Sequence, residues 1–469
     1  MKRSFLFLLV NFVFGLQVGF AQTVDKRLTL DNTFDLIRRF HPVAKQAGIQ
    51  VDLASASLQA SRGSFDPAFY LNNQRKSFDG KNYFTYVNPE LKIPTWYGID
   101  FKAGFENNGG ERLGDESTFG RSSYAGISIP ILKGLLFDKR RSTLQQAKLM
   151  VSMSKQEQLL AINNLLFDAA DAYWKWAASY QINQILLQAV EANKKRFEFT
   201  RQSFLLGDRA AIDTTESLSQ LQTIQAMQQQ AWFEWQKNRL TLSNFLWKED
   251  SQYYELPEDV VPDSSWVLVS IEDYPLPVLE KLLTASSTTH PKLLSLGFKQ
   301  DALKVEKREK FQELLPRLNV DYNFLNSGYN FSNPLKQALF QNNFKYGLSF
   351  GLPLLQRSAR GEFNIAQLKI NNQSLEIRQT QLEIENKVKA SFSELLALKE
   401  QVLLMQGSVN NQQKLLRAEE TKFAVGESSM FLVNARETKL LETKQKLAET
   451  ISKFFKSLVA AEWSAGQLR

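Results

Sequence analysis

Residues 204–213 read FLLGDRAAID, and residues 423–432 read FAVGESSMFL. In both segments a glycine stands three positions after a phenylalanine, and a long stretch without proline precedes it. Glycine tolerates the positive backbone φ that ends many helices. We therefore predict that each segment is a tight break between two consecutive helices.

The stretch before each break has the pattern of a very long helix. From Asp138 to about Leu206 there is no proline or glycine, and apolar residues recur every three or four positions. The stretch from Arg360 to about Ala424 repeats the apolar spacing, also without proline but with glycines at 361 and 407. About 66 residues at 1.5 Å each predict a rod roughly 100 Å long. Two such rods must pack on each other or on partner chains to bury their apolar seams.

Shorter helices are predicted after each break, ending near Trp247 and Trp463. At about 35 residues, each is roughly half as long as a rod. A further short helix is predicted over 43–62, and its counterpart runs from about Lys292 to Glu313. We expect the helix over 43–62 to stack end to end with the helix after the first break, which would match the length of the rod.

Segments with strict alternation of apolar and polar residues precede each rod and predict strands. They are 68–74, 97–105 and 124–132 in the first half of the chain, and 317–324 and 346–355 in the second half. Alternation with aromatic residues is typical of a membrane barrel wall. A soluble β-domain has the same periodicity, so the pattern alone leaves both open.

Two histidine–proline pairs reveal an internal duplication. His41 and His290 each precede a proline, and each lies 26 residues before a second proline, so these segments share an offset of 249. The rods and breaks share an offset of 219 instead. The first copy therefore holds 30 more residues, which we expect to include part of 88–117 as either a hairpin or a long loop.

The duplication predicts a division of the chain into four segments. Residues 1–21 have a basic start, an apolar stretch and small residues before Gln22, which together indicate a signal peptide and an exported protein. The two helix–strand–hairpin repeats are 22–247 and 278–469. The segment 248–277 is rich in proline and acidic residues, and we expect it to be a linker laid against the outside of the rods at their equator.

Composition excludes several classes of protein. The formal charge of +8 is spread over helical stretches of mixed sign, which argues against a nucleic-acid partner. The chain has no cysteine and therefore no disulfide and no thiolate metal site. After the signal there is no run of 18 apolar residues, which excludes a helical membrane span.

The order of these elements resembles the TolC-like outer-membrane factor family, also called outer membrane efflux proteins. The resemblance rests on the duplication, the rod lengths, the glycine breaks, and the strand-to-rod junctions 129–148 and 352–369. It implies an α+β fold: a long α-helical coiled-coil barrel joined to a transmembrane β-barrel. In that family, three chains each give four strands to a twelve-stranded barrel and four helical columns to a periplasmic tunnel.

The resemblance also implies a function and partners. The chain would be a homotrimeric, passive export duct of a tripartite efflux or type I secretion system. It would lie in the outer membrane, in contact with outer-membrane lipid, and extend into the periplasm. A periplasmic adaptor protein and an inner-membrane pump would dock at the far end, and no cofactor would be needed.

Carried over residue by residue, the resemblance identifies candidate sites at the helix breaks. Asp213 matches a gate aspartate of the family. The alternative interpretation is that it is an ordinary helix N-cap. The second break departs from the pattern, because Phe423, Ser428 and Leu432 stand where the family has tyrosine, arginine and aspartate. These four residues are the gate candidates, and closure is expected to rely more on apolar contacts. Adaptor contacts are expected at the tips: Gly207, Asp208, Gly426 and Glu427.

An enzyme and a coiled-coil adaptor or scaffold protein are the two alternative classes of function. In an enzyme, the two histidines would be ligands or bases, yet each precedes a proline at a predicted helix start, where a structural role is the rule. No phosphate-binding glycine loop and no paired metal motif occurs in the sequence. A periplasmic coiled-coil adaptor or scaffold protein is the remaining alternative, although such proteins usually contain one helical hairpin rather than two.

Overall fold

A computed structural model describes residues 27–267, 269–329 and 343–468, so the predicted signal peptide lies outside the described residues. The first half of the chain contains, in order, β1 (Arg27–Leu28), α1 (Leu30–Phe40), α2 (Pro42–Arg62), β2 (Ala68–Phe78), β3 (Lys81–Pro94), β4 (Asp100–Gly109), β5 (Gly120–Pro130), α3 (Lys139–Leu205) and α4 (Ala211–Ser243). The second half contains β6 (Val261–Pro262), α5 (Leu279–Thr288), α6 (Pro291–Gln312), β7 (Arg317–Ser327), β8 (Phe344–Gly351), α7 (Arg357–Ala424) and α8 (Met430–Ser464).

The two rods are present at the predicted length. Helix α3 has 67 residues and α7 has 68, which at 1.5 Å per residue makes each about 100 Å long. The first rod begins where predicted because the Asp138 side chain accepts a hydrogen bond of 2.9 Å from the Arg141 backbone N–H. The Arg141 and Arg140 side chains contact the same carboxylate and help to hold its pKa below the ordinary value.

The shorter helices form two further columns, as predicted for α2 and α4. His41 caps the N-terminus of α2, since its Nδ1 accepts a hydrogen bond from the Val43 N–H. Its ring lies 6.2 Å from that of Phe245 and 6.1 Å from that of Trp247, just beyond the C-terminus of α4. Helices α2 and α4 therefore meet end to end beside α3.

The second half of the chain forms the same junction. His290 caps α6 by accepting a hydrogen bond of 3.2 Å from the Lys292 N–H. The turn at Gly466, which ends α8, packs against the His290 ring so closely that a Cβ there would clash with it. Burial lowers the pKa of both histidines, and that of His290 falls to about 4. The matched histidines are thus neutral caps where two helices meet.

The main apolar core lies at the middle of the rods. Trp174 of α3 stacks on Phe455 of α8, with ring centroids 4.9 Å apart, and meets Trp266 edge to face at 5.9 Å. Trp266 belongs to the segment 248–277, which contains only a two-residue strand and short 3₁₀ turns. Neighbouring Tyr173 is buried and donates a hydrogen bond to the Leu28 carbonyl. The segment therefore packs as a belt around the helices.

A sheet of six antiparallel strands is attached to the N-terminal ends of both rods, in the order β2-β3-β4-β5-β7-β8. The resemblance implied four strands, and that number is wrong for this chain. Strand β3 was not predicted, because asparagine and proline favour turns, whereas Asn88 and Pro89 lie within β3 and pair with β2. The 30 additional residues of the first half are thus accounted for by one more hairpin, made of β2 and β3.

The register gives the sheet two chemically different faces. Because paired residues in neighbouring strands point to the same side, one face can be followed across the sheet. That face is apolar: Phe69, Leu71, Leu91, Ile93, Phe101, Ala103, Ala125, Ile127, Ile129, Leu318, Val320, Tyr322, Phe324, Phe344, Tyr346, Leu348 and Phe350. The other face carries ion pairs, including Lys102 with Asp321 at 3.1 Å and Lys92 with Asp100 at 3.2 Å.

The helices are long, but their surfaces are polar. Among the residues that the structure describes, no helix has a stretch apolar enough to cross a membrane.

Candidate gate and docking tips at the helical end

Both helix breaks have the same backbone geometry. Gly207 and Gly426 adopt φ of 83° and 84°, a left-handed conformation that glycine reaches without strain. In the first tip the Asp208 N–H bonds to the Ser203 carbonyl and the Gly207 N–H bonds to the Phe204 carbonyl. The second tip has the same two bonds 219 residues later: the Glu427 N–H bonds to the Lys422 carbonyl, and the Gly426 N–H bonds to the Phe423 carbonyl. This Schellman pattern satisfies the last carbonyls of each rod and turns the chain back on itself.

The four predicted tip residues are exposed at these turns. Gly207, Asp208, Gly426 and Glu427 all face solvent in the single chain. Large apolar side chains beside them are exposed as well: Leu205, Leu206, Val425 and Phe431. Exposed apolar side chains of this kind make the tips a candidate contact surface for another protein.

Asp213 is the third residue of α4 and is half-buried. The N-cap of this helix is Ala210, so the interpretation of Asp213 as an N-cap is wrong. Its carboxylate lies in the first turn, where the helix dipole favours negative charge. Within the described part of the chain its side chain has no hydrogen bond or ion pair, so one subunit leaves this acid without a partner.

Arg209 is the residue of the first tip that sequence reasoning missed. Its guanidinium carbon lies 4.1 Å from the centroid of the Phe423 ring, and its Nη2 donates a hydrogen bond of 3.3 Å to the Phe423 carbonyl. Phe423 ends the second rod, so this contact ties the two tips together. Its position in the sequence could have indicated its role, because Arg209 and Ser428 are separated by 219 residues, the offset of the two breaks. The arginine that the family has at the second tip thus stands at the first tip in this chain.

The other two gate candidates do not join the tips. The Ser428 hydroxyl donates a hydrogen bond of 2.5 Å to Glu419 in the rod of its own hairpin. Leu432 lies in the first turn of α8 and is exposed, with its backbone N–H bonded to Ser429. The structure therefore brings Phe423 to a contact between hairpins, and leaves Ser428 and Leu432 within one hairpin.

A buried polar cluster lies a few helical turns above the tips and was not predicted. Glu437 of α8 is buried and accepts hydrogen bonds from Arg196 at 2.7 Å and Asn193 at 3.0 Å, both on α3. Arg196 also bonds to Glu420 of α7 at 3.2 Å, and Gln220 of α4 reaches the same Glu437. We call these five residues the four-helix clasp, because they join all four helices of the two hairpins.

The two charged residues Arg196 and Glu437 correspond to exposed leucines under the internal offset. Shifting by 219 positions places Leu415 where the first half has Arg196, and Leu218 where the second half has Glu437. No periodic pattern in the sequence predicts the pairing of Arg196 with Glu437, because the two residues lie on different helices, α3 and α8, and are 241 positions apart.

Comparison with known proteins agrees with this architecture. Residues 285–453 match the family described as outer membrane efflux protein. This stretch, about a third of the chain, is similar to that family. No curated protein sequence matches the chain. The match supports the resemblance over these residues.

Several solved structures share the fold. The CmeC outer membrane channel of Campylobacter jejuni is 14% identical, with a TM-score of 0.64 over 94% of this chain and 86% of that chain. VceC, an outer membrane protein of Vibrio cholerae, is 12% identical, with a TM-score of 0.62 over 93% and 96%. The MtrE outer membrane channel of Neisseria gonorrhoeae is 13% identical, with a TM-score of 0.62 over 94% and 89%. The chain thus shares the mixed helix and sheet fold of these structures over nearly its whole length.

Proposed function

We propose that three copies of this chain form a passive export duct, with the sheets in the outer membrane and the helical columns in the periplasm. The observation that carries this proposal is that a single copy leaves backbone edges and apolar surfaces uncovered. The sheet has two free edges and an apolar face, and the second rod exposes a leucine stripe. A membrane tolerates no free edge, so the sheet must be closed by further copies.

The leucine stripe on α7 supports assembly through the helices. Leu368, Leu375 and Leu382 are spaced by seven residues and are 65%, 62% and 58% exposed. A seven-residue apolar repeat is the seam that one helix presents to another in a coiled coil. Among the described residues no helix of the same chain covers these side chains, so the neighbouring copy is their partner. A helical barrel built from three copies follows from this packing.

An internal duplication accounts for the matched parts. The helix lengths, the two glycine turns and the two histidine caps recur in the same order. We assign one copy to residues 22–247 and the other to 278–469, with 248–277 as the linker that forms the belt. The signal peptide over 1–21 completes this division.

The gate in this proposal lies where the two tips meet. Arg209 holds Phe423 and thereby the end of the second rod, while Asp213 has no partner in its own subunit and faces the neighbouring copy. Ser428 and Leu432 shape the second tip without bridging to the first. Opening then requires the Arg209–Phe423 contact to break, while the four-helix clasp above it keeps each subunit intact.

The tips are also the docking surface in this proposal. Gly207, Asp208, Gly426 and Glu427 lie at the ends of the hairpins, and the exposed apolar residues beside them supply contact area. A periplasmic adaptor protein would cover this surface and connect the duct to an inner-membrane pump.

Fractionation and efflux assays test the duct. We expect the protein in the outer membrane as trimers that dissociate on heating, and we expect a strain lacking the gene to accumulate the exported compounds. Replacing both Gly207 and Gly426 with tryptophan should abolish efflux while trimers persist. Recovery of the wild-type chain as a soluble periplasmic monomer would instead support the adaptor or scaffold alternative.

A further inference from the structure

The outermost strands of the sheet, β2 and β8, are its most exposed part. Almost every residue of β2 and all residues of β8 face solvent, whereas the strands between them are half-buried. Within the described residues neither strand has a partner on its outer side. The two strands run in opposite directions, because the sheet is antiparallel throughout and has an even number of strands.

The additional hairpin has the properties of a membrane wall. Strands β2 and β3 have 11 and 14 residues, and about 9 to 11 residues are needed to cross a bilayer. Phe69 and Leu71 of β2 and Leu91 of β3 continue the apolar face of the other strands. On that side β2 becomes polar at Asn73 and Arg75, so the hairpin matches lipid in the half of the sheet nearer the rods.

The opposite side of the hairpin continues the polar face. Tyr124 of β5 donates a hydrogen bond of 2.5 Å to Glu90 of β3, across the intervening strand β4. Lys92 of β3 pairs with Asp100 at 3.2 Å, and Asp100 also pairs with Arg140 at the start of the first rod. The hairpin is thus fixed to the sheet by charged contacts as well as by its backbone ladder.

We propose that all six strands of each copy form the barrel wall, and that β8 of one copy pairs with β2 of the next. This inference rests on the trimer of the proposed function. Three copies of six strands enclose an eighteen-stranded barrel rather than the twelve-stranded barrel of the family pattern. The closing pair is antiparallel, because β2 and β8 run in opposite directions. Pairing them makes the apolar faces of the three sheets continuous around the barrel.

A closure that leaves the hairpin out is chemically unfavourable. Pairing β8 with β4 of the next copy would break the ladder between β3 and β4 and separate Lys92 from Asp100. Because β2 and β3 would still pair with each other, only the backbone groups on the outer sides of the hairpin would be unpaired, and at membrane depth each costs several kcal/mol. The diameter of a barrel grows roughly linearly with its number of strands, so the wall is about 1.5 times as wide with eighteen strands as with twelve.

Crosslinking of introduced cysteines tests the closing pair, because the chain has no cysteine of its own. Leu348→Cys is combined in turn with Phe69→Cys, Leu71→Cys and Asn73→Cys, which lie on the same face at the opposite edge. Within one copy these edges are five strand spacings apart, roughly 24 Å, so a short thiol crosslinker can join them only between copies. We expect crosslinked dimers and trimers for at least one pair.

Two control sets test whether the crosslinks are specific to one face of β8 and to pairing with β2. Ser349→Cys lies on the other face of β8, and with the same three β2 cysteines it should crosslink at least tenfold less. Leu348→Cys with Phe101→Cys or Ala103→Cys reports on closure through β4. Efficient crosslinking of that set, with none to β2, would overturn the inference while leaving the trimer standing.

The strand number itself is measurable by single-particle electron microscopy of the wild-type trimer. Eighteen strands support the inference, and twelve overturn it. Deleting residues 68–97 removes the hairpin and joins Pro67 to the start of β4, as Pro316 is joined to β7. We expect this variant to form trimers with a barrel about 1.5-fold narrower. Absence of wild-type trimers would reject both the proposed function and this inference, whereas trimers with twelve strands reject the inference alone.

Discussion

The two halves of the chain, 22–247 and 278–469, differ in their sheets and agree in their helices. The first half contributes four strands to the sheet and the second half two. The rods nevertheless have 67 and 68 residues, and the helices after the breaks have 33 and 35. Helices that pack along their whole length must end together, whereas a hairpin added to a sheet changes nothing at the other end of the molecule. Helix length is therefore constrained to match between the halves, whereas the number of strands can differ between them.

The side chains of the two halves differ more than their backbones. Both tips have the same glycine turn, yet Arg209 and Asp213 of the first tip correspond to Ser428 and Leu432 of the second. The rods differ too, since α7 exposes the leucine stripe and α3 is buried along much of its middle. The five predictions below test this division of roles, beginning with the largest expected effect.

The leucine stripe should be essential for assembly. Leu375→Lys places a charge in the seam between copies, and we expect trimers to be lost from the outer membrane, because a buried unpaired charge costs several kcal/mol. Native gels of membrane extracts measure the trimer. Leu375→Met is the matched control, since it keeps an apolar side chain of similar volume and should assemble normally. Full assembly of the lysine variant would remove the stripe from the subunit interface.

The four-helix clasp should stabilise each subunit. Glu437→Leu leaves Arg196 without its buried partner, and we expect the free energy of unfolding to fall by roughly 3 kcal/mol. The double variant Arg196→Leu with Glu437→Leu replaces both charged residues with the leucine found at each offset position, Leu415 and Leu218. It should recover most of the loss, because no unpaired charge remains. Apparent melting temperatures in detergent measure both variants, and equal losses in the single and double variants would contradict the pairing.

The two histidine caps should make the fold sensitive to acid. The folded pKa of His290 is about 4, below its ordinary 6.5, so the unfolded chain takes up this proton first as the pH falls. Stability is complete above pH 6.5 and is lost between pH 6.5 and about 4, with a loss of about 2 kcal/mol at pH 5. His290→Asn keeps an N-cap without titrating and should reduce the fall in melting temperature from pH 7.5 to 5.

His41 offers the comparison for this effect. Burial lowers its pKa as well, but a hydrogen bond with the Asn244 backbone opposes the shift. His41→Asn should therefore reduce the acid sensitivity less than His290→Asn. An unchanged pH dependence in both variants would show that other groups cause it.

The smallest effect is expected at the tips. Arg209→Ala removes the contact with Phe423, which as a cation–π pair contributes about 1 kcal/mol. We expect the open probability in single-channel recordings to rise by roughly fivefold. Ser428→Ala changes the matching position of the second tip, whose hydroxyl bonds within its own hairpin, and should leave the current unchanged. A rise of the same size in both variants would refute a special role of the first tip.

Asp213→Ala distinguishes a gate role from a local helix effect. If the carboxylate reaches a neighbouring copy, its removal should raise the closed-state current without lowering the melting temperature. A lower melting temperature with an unchanged current would restrict Asp213 to the first turn of α4.

Periodicity predicted the helices well because each rod carries dozens of residues with one repeat, so single exceptions do not matter. It failed for β3, where Pro89 and Asn88 have strong turn preferences yet stand inside a strand held by two neighbours. The glycine turns were also predictable, because positive φ restricts the residue type. The Arg209–Phe423 contact and the four-helix clasp were not, since each joins residues more than 200 positions apart.

The additional hairpin has a consequence for how such proteins change over evolution. A hairpin leaves the periplasmic side of the sheet and returns to it, so a single insertion in the gene adds two strands without redirecting any helix. A longer tunnel has no such route, because both rods and both stacked columns would have to lengthen together. Descendants of one ancestral duct can therefore diverge readily in the width of their outer opening, while the distance they span across the periplasm stays nearly fixed.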